Sequence, residues 1–488
     1  MSGSTFGRVG RDASWSLLYL VGIRAGTFAL SVLAARLFGA RGIGEFGVAV
    51  QLATLVSLLG GMNLSAAVAR GLPAAASNAD RRAIFHESAG AVALGGVLAG
   101  CALAIFAPLI AVRAYGDAGL APVLAVAGVF AAGNVFYVWA EGALQGLRWF
   151  RWQAKWGVAV AIADVVLSSL AALKGLTTML LVRATVRIAS VAVFFGSVNG
   201  WLDRRTREEG AGVRKGGTLK GLFAFAGPSL LSNVVVLAAL AWMRALVTRS
   251  AGVAEAGYYQ TADTVTQGLA LVPIAAAMAF IPAVSHAGTL GYPNFGGTLG
   301  RALRRVTGFN LPVCLGIAGT SAWLPALIFG RDLASASPAL AGLAAASGMI
   351  GLATVFGAVI LGRGEMWSAV LLNGAWALVL FALLSSMHPV GAFAATVAVG
   401  GSYLVLLLAY VGIALRRWRV GIETIAAPIL LNVGAWLSVL AAWRFAPSAP
   451  WLPTLVAVTI AAPVFVRWAW PELAERFFRG SQRVEVDS

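Results

Sequence analysis

The chain has 488 residues, 59% of them hydrophobic and only 11% charged, and it carries a formal net charge of +17. A soluble protein needs roughly 25% charged residues to keep its surface wetted, so most of this surface must face lipid and a water-soluble fold is excluded. The positive excess fits the cytoplasmic loops of a membrane protein better than nucleic-acid binding. Cys101 and Cys314 both lie inside apolar runs and read as small membrane or core residues, not as a disulfide.

The first apolar run follows Arg8 and Arg11, as a secretory signal would. It continues for about 20 residues with Arg24 at its centre and runs on into a second span, so it reads as a retained helix. Apolar runs then predict an all-α polytopic protein of about fourteen transmembrane helices. They lie near 12–37, 43–70, 84–112, 118–143, 152–173, 177–200, 221–248, 257–285, 303–329, 334–361, 366–386, 390–415, 421–444 and 451–470. With the N-terminus inside, Arg81, Arg82, Arg148, Arg151, Lys155, Arg204, Arg205, Arg207, Arg214, Lys215 and Lys220 fall on the cytoplasmic side. Arg301, Arg304, Arg305, Arg416, Arg417 and Arg419 do the same. That asymmetry predicts both termini in the cytoplasm.

A Gly-rich, basic segment at 201–220 divides the chain. The expected organisation is an N-terminal lobe at 1–200, a C-terminal lobe at 221–417, two further helices within 418–471 and a cytoplasmic tail at 472–488. Six helices is an even number, so a duplication would be a parallel repeat about an axis along the membrane normal. An echo supports it: Arg36-x-x-Gly39-x4-Gly44-x-Phe46 joins spans one and two, and Arg249-x-x-Gly252-x4-Gly257-x-Tyr259 joins spans seven and eight.

No phosphate-binding Gly-x4-Gly-Lys-Ser/Thr loop is present, which argues against ATP as the direct energy source. His86, His286 and His388 sit at predicted span ends, far apart in sequence, and assemble neither a metal cluster nor a nucleophilic triad. No cofactor is called for. With no loop long enough for a catalytic domain, the chain reads as a transporter and not an enzyme.

An ionisable residue at mid-bilayer costs about 2.5–3.5 kcal/mol on insertion scales, which makes each one a functional candidate. Arg24, between Gly22 and Gly26, either faces a cavity as a ligand for an anion or pairs with a carboxylate beside a Gly-x3-Gly packing face. Asp164 in span five and Arg187 in span six fall at similar depth. They read as a structural pair that leaves Arg183, one turn away, for an anion; the alternative is that Asp164 carries a coupling proton. Arg244 and Asp263 also match in depth, as a pair or a gate. Glu45 and Glu141 lie nearer the interfaces and read as structural. Arg24, Arg183, Arg187 and Arg244 are thus the candidate substrate-binding residues, and Asp164 and Asp263 the candidates for ion coupling or buried pairing. Four buried arginines against two aspartates leave a positive surplus that lipid cannot neutralise. Arginine binds phosphate oxygens in pairs and stays charged, so the surplus predicts a phosphate- or pyrophosphate-bearing substrate over a cationic drug. Pro228, Pro273, Pro282, Pro312 and Pro325 fall within predicted spans and could bend them.

Ala34-Ala35-Arg36-Leu37-Phe38-Gly39, Gly44-Glu45-Phe46-Gly47 and Asn63-Leu64-Ser65 resemble the opening of polysaccharide flippases of the multidrug/oligosaccharidyl-lipid/polysaccharide exporter (MOP) superfamily. In the second half the likeness rests on Phe225-Ala226-Gly227-Pro228-Ser229-Leu230-Leu231-Ser232-Asn233, Gly257-Tyr258-Tyr259 and Ile281-Pro282. The resemblance spans helices one to twelve. It implies two six-helix lobes forming a V around a cationic cavity, with alternating access. It also implies transfer of an undecaprenyl-pyrophosphate-linked oligosaccharide across the bacterial inner membrane, from the cytoplasmic to the periplasmic leaflet. Such proteins carry arginine in the first helix of each lobe, where Arg24 and Arg244 stand here, although an acidic residue is frequent in the family near the second position. A polysaccharide polymerase and other assembly proteins are the implied partners. Spans thirteen and fourteen resemble the extra pair of lipid II flippases. A lipid II flippase and a multidrug or toxin cation antiporter are the alternatives, as is a membrane scaffold with no transport of its own.

Overall fold

A computed structural model describes residues 3–209, 219–290, 295–446, 449 and 451–471. Among them every regular element is helical. Lipid supplies no hydrogen-bond partners, so a spanning segment must satisfy its backbone within itself, and the helix does this residue by residue. Among the described residues eleven helices are long and apolar enough to cross a membrane. The protein is therefore an all-α, multi-pass membrane protein.

The helices divide into two compact units, Met1–Ala256 and Gly257–Ser488. In the first unit, α1 (Gly3–Gly61) holds two expected spans, and its legs meet at Gly39, whose φ of 66° suits a glycine. Its apolar part, Ser14–Gly61, has 48 residues. As one straight helix this would reach about 72 Å, more than twice the hydrocarbon thickness, so the break is required. The second expected span is not continuous either. Met62 and Asn63 are left-handed, at φ 48° and 53°, and α2 (Leu64–Ala74) starts after them. Next come α3 (Asn78–Ile110), capped by the Ser77 hydroxyl accepting from the Asp80 amide at 3.1 Å, and α4 (Ala121–Gly146). They are followed by α5 (Phe150–Ala172), α6 (Leu176–Glu209) and α7 (Leu219–Ala251). Helix α6 runs nine residues past the expected lobe boundary at 200. Residues 210–218 of the basic segment, with Arg214 and Lys215, lie outside the described residues, as does the tail at 472–488.

Small residues bring these helices together. A Cβ added at Gly100 on α3 would stand 2.6 Å from the Gly128 carbonyl oxygen on α4, and one at Gly128 would meet the Gly100 carbonyl in return. Such backbone proximity is how helices associate where the hydrophobic effect gives no drive. Gly22 and Gly26 serve α1 and α5 in the same way, because added Cβ atoms would lie 2.9 Å from Val158 Cγ2 and 3.2 Å from Ala161 Cβ.

The echoed motif has a shared conformation. Gly252, at the joint of α7 with α8 (Val253–Thr266), has φ 93°, matching the positive φ of Gly39. Both glycines occupy a region closed to most side chains.

The second unit continues through a 3-10 turn at Gln267–Ala270 into α9 (Leu271–Leu290). Then follow α10 (Phe295–Thr320), α11 (Leu324–Phe329) and the largely buried α12 (Ser337–Gly362). The chain ends through α13 (Met366–Ser385), α14 (Ala392–Arg416), α15 (Ile422–Phe445) and α16 (Leu452–Val464). Pro325 falls in the first turn of α11, where a missing N–H costs nothing, whereas Pro273 follows directly on the 3-10 turn at Gln267–Ala270 that interrupts the helical run from α8 into α9. Pro228 and Pro312 lie inside α7 and α10. Helices α15 and α16 are built into this unit: Asn432 Nδ2 donates to Thr307 Oγ1 at 3.1 Å, and Thr454 Oγ1 donates to the Gly319 carbonyl at 2.6 Å.

Candidate substrate site

In the first unit, α4 presents Phe130, Asn134, Tyr137 and Glu141 at helical spacing on one stripe. That stripe meets Arg183 and Arg187 of α6, Asp164 of α5 and Tyr19 of α1.

Asp164 does not pair with Arg187. Its Oδ2 accepts from Arg183 Nε at 3.1 Å, and its Oδ1 accepts from Ser168 Oγ at 3.0 Å. Arg183 is 2% exposed and lies over the rings of Phe130 and Phe46, at 5.2 and 5.5 Å from their centroids. Its Nη2 reaches Thr27 Oγ1 on α1 at 3.5 Å. A guanidinium so enclosed is a cross-brace between α5, α6 and α1.

Arg187, by contrast, is half-buried and bonds a neutral group: Nη1 donates to Asn134 Oδ1 at 2.5 Å. It covers the Tyr137 ring at 4.6 Å and the Phe130 ring at 5.2 Å. The Tyr137 hydroxyl lies 3.3 Å from that of Tyr19, which donates to Glu141. The expected partner of Asp164 is thereby exchanged between the two neighbouring arginines. Arg183 takes the carboxylate, and Arg187 keeps its charge on an amide.

Arg24 is half-buried on α1. Gly22 and Gly26 stand two residues to either side, about 200° round the helix, so they clear the way for α5 and not for the Arg24 stem. Arg244 on α7 is 6% exposed. Asp263, on α8 in the second unit, accepts from Gln267 Nε2 at 3.1 Å. Glu45 accepts from Arg41 Nε at 2.8 Å, and the same guanidinium donates to Asp117 Oδ2 at 2.8 Å, so Glu45 belongs to an ion-pair cluster at a helix joint.

Beside Asn134 lies a cavity of about 320 Å³, lined by α1, α2, α3, α4 and α7. Its polar groups are neutral: Thr54, Ser57, Asn63, Ser65, Asn134 and Asn233. Composition alone could not place it, because it depends on which faces of five helices converge. The signal available in sequence was three asparagines at mid-span positions.

This architecture defines a class: membrane proteins with the fold of the MOP-superfamily transporters. The lipid II flippase MurJ in an inward closed conformation superposes with a TM-score of 0.71 at 12% identity, covering 95% of this chain and 99% of that one. An inward-facing multidrug resistance MATE family transporter of the same superfamily gives 0.61 at 15% identity, covering 85% and 98%. A MOP-superfamily transporter from Pyrococcus furiosus, described as having a binding pocket of reversed polarity, gives 0.55 at 16% identity, covering 85% and 95%. The family model for polysaccharide biosynthesis proteins matches residues 32–338, and the chain belongs to that family. No curated protein sequence matches it.

Proposed function

We propose that the protein is a flippase that moves a polyprenyl-pyrophosphate-linked oligosaccharide from the cytoplasmic to the periplasmic leaflet of the bacterial inner membrane. Membership of a polysaccharide biosynthesis family on a transporter fold supports the reading. The observation that carries it is Arg187, a guanidinium in mid-span bonded to an amide and not to a carboxylate. A planar cation held this way remains available to a pyrophosphate, whose oxygens match its fork. In this reading Arg187, Arg24 and Arg244 serve the anion during alternating access, and Arg183 holds the framework through Asp164. Asp263 is the remaining candidate for ion coupling, and the membrane potential supplies about 2.3 kcal/mol per charge per 100 mV. A polysaccharide polymerase is the natural partner.

A second reading, a lipid II flippase, is favoured by one observation: the superposition with that flippase takes in 95% of this chain, and so reaches α15 and α16. Both substrates carry a polyprenyl pyrophosphate, so the arginine chemistry is common to them. The test is leaflet-resolved labelling of pyrophosphate-linked glycans in proteoliposomes with and without the protein. Protein-dependent movement of an oligosaccharide repeat unit supports the first reading, and movement of lipid II alone selects the second. Movement of neither, with folded protein present, refutes both.

A further inference from the structure

The cavity beside Asn134 has a chemistry of its own. No charged side chain lines it, yet amides and hydroxyls interrupt its apolar wall. Asn134 is nine-tenths buried and is held in one orientation: a guanidinium has donors only, so the atom facing Arg187 at 2.5 Å must be Oδ1. Asn134 also lines the cavity, and its Nδ2 is the donor it can offer there. Among the described residues it has no protein acceptor. Ser65 and Asn233 line the same space without a protein hydrogen bond among the described residues, and Asn63 donates to Ser229 Oγ at 3.0 Å. Of these residues Asn134 alone is buried; Ser65 and Asn63 are half-buried and Asn233 is exposed.

From this we infer that the cavity is a subsite for an uncharged, hydroxyl- or acetamido-bearing sugar residue of the transported lipid, with the Asn134 amide as its central donor. The inference rests on the flippase reading and deepens it. Neutral amides discriminate by hydrogen-bond geometry, and the lining itself offers hydrogen bonds and apolar contact but no charged side chain. Arg187 thus has two faces of influence. Its charge serves the anion, and its bond to Oδ1 leaves Nδ2 as the neutral donor for the sugar. A volume of about 320 Å³ accommodates one or two sugar rings and not a whole repeat unit, so the subsite would read the sugar nearest the pyrophosphate.

The experiment compares binding of two probes to the purified full chain by native mass spectrometry. One is undecaprenyl pyrophosphate, and the other is the same lipid bearing a single N-acetylhexosamine. The wild type should bind the glycosylated lipid more tightly, and Asn134→Leu should reduce the ratio about five-fold, the equivalent of one neutral hydrogen bond. Val138→Phe is the second variant, because Val138 lines the cavity, is 39% exposed and makes no side-chain hydrogen bond. It should lower the ratio by occupying space. A ratio unchanged in both variants, or a wild type that binds the two lipids equally, overturns the subsite while leaving the flippase reading intact. Binding of neither lipid removes the flippase reading and this inference with it.

Discussion

Removing the Asp164 carboxylate should unlock the first unit. In Asp164→Ala, Arg183 stays 2% exposed, enclosed by Phe46 and Phe130, and loses the acceptor at 3.1 Å that balances its charge. The remaining contact, Thr27 Oγ1 at 3.5 Å, is neutral and long. Breaking a buried ion pair from one side costs about 3–5 kcal/mol, because the orphaned charge keeps its desolvation penalty. That should lower the apparent unfolding temperature of the detergent-purified protein by about 10 °C. The double replacement Asp164→Leu with Arg183→Met removes both charges and fills similar volume, so it should recover most of the loss. Scanning fluorimetry on the wild type, the single and the double variant reads this directly. A single variant as stable as the wild type would show that Arg183 is not a brace. A double variant that is stable but unable to transport would return Arg183 to the substrate.

Arg24→Ala should abolish leaflet-to-leaflet transfer in proteoliposomes while the protein stays folded in the membrane; full transfer would remove Arg24 from the mechanism. Gly128→Leu should destabilise the first unit by separating α3 from α4, since its side chain would enter the space held by the Gly100 carbonyl and Ala104. A wild-type melting temperature for that variant would contradict the close approach.

The spans were legible because lipid imposes a simple pattern, long apolar runs cut by glycine, proline and charge. What interrupts them was less so. The break at Met62–Asn63 falls on left-handed residues that are not glycine, and the Gly60-Gly61 pair and Asn63 that mark it sit inside an apolar run long enough to read as one span. The Asp164 partner, however, could have been read by counting outward from the turn between α5 and α6. Asp164 lies eight residues before Ala172, about 12 Å along the helix, and Arg183 lies seven after Leu176, about 10.5 Å, whereas Arg187 lies about 16.5 Å away. Judging depth from loosely bounded spans favoured Arg187, and the hairpin geometry favours Arg183. The neutral cavity was hidden for a different reason: Ser65, Asn134 and Asn233 come from three helices, and only packing brings them to one space.

The exchange of partners between Arg183 and Arg187 bears on how a substrate anion could be both held and released. Had Arg187 been paired with a carboxylate, a pyrophosphate would have to break an ion pair and leave a bare carboxylate in the membrane, at a cost of several kcal/mol. An asparagine partner avoids this, since Asn134 remains neutral when its bond to Arg187 is loosened. Asn134→Asp tests the point with an almost isosteric change. The new carboxylate would accept from Nη1 as the amide does, convert the contact into an ion pair and cancel the local positive charge. The variant should keep the wild-type melting temperature or raise it, and lose most of its transport. Asn134→Asp transporting at the wild-type rate would mean that the charge on Arg187 is not what the substrate meets.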